Sequence, residues 1–145
     1  MDKANRITLD DLGREPFRIF FPEGVFAGIL GVALWPFYFT GVTSFYPGQA
    51  HARIMAYGLF GGFIFGFLGT AMPRMLSAPP LGTRNVLVLF CLHLAMLLAL
   101  AAEKIFGGDS LFLVLLCVFA GHQTPVPRLR FACGLPSLLW SAALF

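Results

Sequence analysis

The chain has 145 residues, 58% of them apolar and only 12% charged, with a mean hydropathy of +0.81. Soluble domains carry about 25% charge, so the composition excludes an ordinary water-soluble domain and points to lipid. Ten Lys and Arg set against seven Asp and Glu are too few and too scattered for the basic face of a nucleic-acid binder.

Residues 1–18 mix acids and bases before any apolar run, which is not the pattern of a cleavable signal peptide. They read as a cytoplasmic N-terminal segment, and residues 19–145 as one transmembrane helical domain. Uncharged runs then follow in order, giving expected spans at 24–43, 54–73, 85–102 and 110–127. Each is long enough to cover about 27–30 Å, the hydrocarbon thickness of a bilayer. A fifth run, 131–145, reaches only about 22 Å and reads as partial: truncated, re-entrant or completed by a partner. The expected fold is therefore all-α, a polytopic transmembrane helical bundle of four full spans and a short or incomplete fifth.

Basic residues set the orientation. Lys3, Arg6, Arg14, Arg18, Arg74, Arg84, Arg128 and Arg130 fall on one side of the crossings, Arg53 and Lys104 on the other. The N-terminus is expected in the cytoplasm, with the turn "YPGQAHAR" outside, in the periplasm of a bacterium. Gly58, Gly62 and Gly66 recur every four residues in the second run, with Thr70 next in line, and Gly24 and Gly28 do the same in the first. Small residues at that spacing let helix backbones approach closely, so helices one and two are expected to pack on each other or on further neighbours.

Carried backwards, the glycine stripe reaches Met55 and His51, which places both on the packed face. A His and a Met together form a ligand set for haem or copper. His51 sits at the membrane lip, where a merely interfacial role is the competing reading. His93 lies about 10–13 Å from the cytoplasmic side and His122 less than 10 Å from it. At similar depth on antiparallel helices they could share a cofactor, or each could bond a neighbouring carbonyl. Cys91, Cys117 and Cys133 read as small buried hydrophobes, with no CxxC pair among them. No hydrolase, protease or phosphate-loop motif is present, and every acid is expected in a tail, a loop or a helix end. Without a mid-membrane acid, a transporter is disfavoured.

Two stretches, "REPFRIFFPEGVFAGILGVALWPFYF" and "YPGQAHARIMAYGLFGGFIFGFLGTAMP", resemble the opening of the NnrS family. Glu15, Pro16, Phe17 and Arg18 match its lead into the first helix, and Tyr46, Pro47 and Gly48 match its turn. Residues 66–73 match the end of its second helix, so the resemblance runs over about residues 14–80. It implies a polytopic bacterial inner-membrane protein linked to nitric oxide, nitrosative stress or denitrification, with haem and copper as cofactors. It also implies a His-Ala-His-Glu-Met signature, of which His51, Ala52 and Met55 are retained while Arg53 and Ile54 replace the second His and the Glu. An arginine has no lone pair for a metal. The implied metal residue is thus His51, with Met55, His93 and His122 as further cofactor-binding candidates and no catalytic residue. A bilayer is the expected environment, with a homo-oligomer or a second membrane subunit completing the bundle, and no turnover is expected from this chain alone. The alternative is a cofactor-free membrane interaction module or fragment whose histidines are structural; a dimerising permease half is a weaker third.

Overall fold

The structure is a computed structural model that describes residues 13–76 and 79–123. The expected fifth run, Cys133, Arg128 and Arg130 lie outside the described residues. Among the described residues four helices long and apolar enough to cross a membrane follow one another: α1 (Phe17–Phe39), α2 (Gly48–Met75), α3 (Thr83–Ala101) and α4 (Ile105–Gln123). No strand occurs among the described residues.

Proline and glycine punctuate the chain. Pro16 caps the start of α1 with φ −52°, and Pro47 does the same for α2 with φ −76°, a dihedral that the pyrrolidine ring pre-sets. After α1, Gly41 turns left-handed at φ +76°; its N–H bonds Tyr38 O, and that of Val42 bonds Phe37 O. This is a complete Schellman closure. α3 ends in the same way, with Glu103 N–H on Leu100 O and Lys104 N–H on Ala99 O, but the left-handed residue is Glu103, at φ +61°.

The helices pair α1 with α2 and α3 with α4, and α2 also meets α3 and α4. The glycine stripe closes the first pair. A Cβ on Gly62 would stand 2.9 Å from Gly24 Cα and 3.0 Å from Phe20 O, and one on Gly66 would stand 3.0 Å from Phe17 Cα. Thr70, next in the stripe, accepts the Phe17 N–H at 3.4 Å. Only glycine admits such an approach.

Two apolar clusters fill the interior. One holds Phe20, Phe65, Val86, Leu89, Leu115 and Phe119; the other holds Ala27, Leu34, Ile54, Met96, Leu97 and Leu100. Large apolar side chains such as Phe26, Ile29, Phe67 and Leu113 point outward, which suits a lipid bilayer and would be unfavourable in water. Cys91 and Cys117 are exposed on these outer faces, so they are not the buried hydrophobes the apolar runs suggested. Lipid contact satisfies a small apolar thiol as well as a core does.

Candidate functional site

α2 is not a uniform helix. Its Ile54–Phe60 stretch is π-helical, a rare winding that often marks functional positions. There the Gly61 N–H bonds Ala56 O and Gly58 O, not the Tyr57 carbonyl that regular α-winding would give it. Tyr57 O instead meets His93 Nε2 of α3 at 2.9 Å. A carbonyl only accepts, so Nε2 carries the hydrogen and donates it.

The other nitrogen of His93 faces an acid. Nδ1 lies 3.0 Å from Glu23 Oε2 on α1, with the side chains 0% and 4% exposed. The approach falls short of an aligned hydrogen bond, and among the described residues neither Glu23 oxygen has another partner. Phe20 and Phe65 stand edge-on to the imidazole at centroid distances of 5.9 and 5.8 Å. Along each helix the dyad falls between the two apolar clusters: Glu23 between Phe20 and Ala27, His93 between Leu89 and Met96. It is a polar layer between two apolar clusters.

Glu23 thus corrects the expectation that every acid lies in a tail, loop or helix end. The first uncharged run begins at Gly24, but α1 begins at Phe17 and carries Glu23 inside the bundle. The ground for disfavouring ion or proton handling is removed with it.

At the Gly48 end of α2, half-buried His51 turns Nδ1 to Gly31 O at 2.9 Å. The carbonyl fixes the tautomer, with hydrogen on Nδ1 and the lone pair on Nε2. Trp35 packs edge-on to the ring at 5.9 Å. Met55 rests on the same glycine: a Cβ on Gly31 would come 3.1 Å from its Sδ. His51 and Met55 therefore share one cradle on α1, as the stripe predicted of their face. Arg53, two residues on, donates from Nε to Asp109 Oδ1 of α4 at 2.8 Å, tying this end of α2 to α4.

His122 is the penultimate residue of α4. Counted from the α3–α4 turn it lies about 25 Å along the bundle, whereas His93 lies about 12 Å along. The two are not level, and His93 has both nitrogens engaged by α1 and α2. Among the described residues no group of three or more His, Cys, Asp or Glu could hold a metal ion. Among the described residues, His51 and Met55 offer an imidazole and a thioether against the same glycine of α1, donor types whose chemistry suits copper(I) or haem iron.

Compared with protein-family models, residues 11–145 match NnrS protein. The chain belongs to the NnrS family. The match runs past the residues 14–80 on which the sequence motifs rest, so the third and fourth helices of this NnrS chain share in it. No curated protein and no solved structure matches the chain.

Proposed function

We propose that this NnrS-family chain is a multi-pass protein of the bacterial inner membrane, N-terminus in the cytoplasm, acting in the nitric oxide or nitrosative-stress response. In this proposal it binds haem or copper at the periplasmic lip through His51, with Met55 as the second donor. The observation that carries it is the Nδ1–H···O=C bond from His51 to Gly31, which leaves Nε2 as the lone-pair nitrogen in the manner of metal-bound imidazoles. Haem or copper, when bound, supplies a redox-active centre that nitric oxide can ligate. The chain's own share is positional. Gly31 leaves room for the Met55 sulfur, and the Trp35 edge restrains the imidazole from the side. His93 is not in the proposed ligand set, because its Nε2 donates to Tyr57 O and its Nδ1 faces Glu23 Oε2 with the ring fully buried. A further copy, or a second membrane subunit, would complete the coordination sphere.

A cofactor-free interaction module is the second reading. Two observations favour it: the want of a three-residue metal group among the described residues, and Arg53 being committed to Asp109. One experiment separates the two. Absorption spectra of the detergent-purified chain, oxidised and dithionite-reduced, are compared with those of His51→Ala after expression with added haem, and copper is assayed on the same samples. A Soret band or copper content lost in the variant supports the His51 site. A signal that survives moves the ligand elsewhere, and no signal in either sample leaves the cofactor-free module.

A further inference from the structure

The Glu23–His93 dyad has no part in the His51 site, and its atoms admit a proton count. Tyr57 O can only accept, so His93 Nε2 always carries its hydrogen. The open question is how many protons sit between Nδ1 and Oε2, 3.0 Å apart. With none, a ring lone pair opposes a carboxylate, and an uncompensated negative charge stands in an apolar core. With two, an imidazolium beside a carboxylic acid leaves an uncompensated positive charge. With one, the pair is neutral overall, whether that proton rests on nitrogen or on oxygen.

We infer that Glu23 and His93 form a buried proton-binding site that takes one exchangeable proton between Nδ1 and Oε2. The transfer balances without other reactants. The N–H bond breaks and its electron pair becomes the Nδ1 lone pair, while an Oε2 lone pair forms the O–H bond, and net charge stays at zero. Three helices build the site. α1 brings the acid, with both oxygens free of any other hydrogen-bond partner among the described residues. α3 brings the imidazole, and the π-helical turn of α2 presents the Tyr57 carbonyl that fixes which nitrogen is left for the shared proton. Phe20 of α1, with Phe65 and Gly61 of α2, encloses the ring. A clamp needing only mechanical strength would be met by two apolar side chains at no desolvation cost; an acid and a base, buried together, add the capacity to hold a proton.

The test uses the whole chain in lipid nanodiscs, with isotope-labelled histidine read by nitrogen NMR and the carboxyl group read by infrared difference spectroscopy against Glu23→Gln. At neutral pH the expected result is one of two one-proton states. Either a carboxylic acid band, absent from Glu23→Gln, accompanies a neutral His93, or an imidazolium His93 that becomes neutral in Glu23→Gln accompanies a carboxylate. In both, the band or resonance shifts on transfer to heavy water. A carboxylate beside a neutral ring overturns the inference, as do two protons, or a proton that fails to exchange over hours. Should Glu23→Gln not fold, isotope-labelled glutamate in the unaltered chain assigns the same band. The outcome is independent of whether haem or copper binds at His51.

Discussion

Gly62→Ala tests the packing that puts Glu23 beside His93. The added Cβ would stand 2.9 Å from Gly24 Cα and 3.0 Å from Phe20 O, against an ordinary carbon–carbon contact of about 3.5–4.0 Å. Both opposing atoms are backbone, so no side chain can swing aside, and α1 must retreat by roughly 0.6 Å or more to restore that contact distance. Overpacking of this kind costs about 1–3 kcal/mol. Alanine is intrinsically the better helix former by about 1 kcal/mol, but helices separated in a bilayer remain helical, so that gain largely cancels between the two states. Equilibrium unfolding by SDS titrated into mild-detergent micelles, followed by tryptophan fluorescence, measures the loss. Gly107→Ala is the matched control: among the described residues its Cβ would meet only Lys104 Cβ, at 3.8 Å, and its stability should stay within about 0.5 kcal/mol of the unaltered chain. Equal midpoints for the two variants would refute the claim that the glycine stripe sets the α1–α2 distance.

The helix ends and the lateral ties are tested by the same unfolding titration. Glu103 occupies the left-handed Schellman position that Gly41 fills after α1; since that conformation costs an L-residue about 1–2 kcal/mol, Glu103→Gly should stabilise the chain and Gly41→Ala should destabilise it. Leu100 is fully buried and Leu98 is 61% exposed toward lipid. Because lipid is as apolar as the core, Leu100→Ala should lose mainly its cavity term, about 1–3 kcal/mol, and Leu98→Ala almost nothing. Asp109→Asn should lower the unfolding midpoint by removing the negative charge that pairs with Arg53, and exchanging the charges (Arg53→Asp with Asp109→Arg) should recover part of the loss, whereas Asp109→Asn combined with Arg53→Gln should not.

The four full spans and their order were legible because both follow from composition: a bilayer demands long uncharged runs, and the runs are there. The close α1–α2 packing was legible for a similar reason, since a four-residue spacing of glycine has few other uses in a membrane helix. Glu23 was not. Charges served as span boundaries, and an acid one residue before the first uncharged run looks like a helix end unless its buried partner is known. That partner, His93, lies seventy residues on in the chain, and one sequence carries no sign of the pairing. The π-helical turn was equally hidden, because its Ile-Met-Ala-Tyr-Gly-Leu-Phe sequence would wind as regular α-helix on propensity alone. Gly31 could have been found. It falls seven residues after Gly24 on the stripe that includes Gly28, and one more step along that face reaches the residue that cradles His51 and Met55.

The glycine face of α1 therefore serves two proposed sites with one geometry. At Gly24 it lets α2 come close enough for Glu23, the adjacent residue, to reach the polar layer beside Gly61 and His93. At Gly31 it offers a bare carbonyl to His51 and a hollow for the Met55 sulfur. A retreat of α1 forced at Gly62 should consequently be felt at both. In Gly62→Ala the Nδ1–H···O=C bond from His51 to Gly31 should lengthen along with the Glu23–His93 contact, visible as shifts of both histidine resonances. If only the His93 resonance moves, α1 flexes between Gly24 and Gly31 and the two sites are mechanically independent. If both move, the helix transmits the displacement as a rigid rod, and proton occupancy at Glu23 and imidazole placement at His51 are set by the same inter-helix distance.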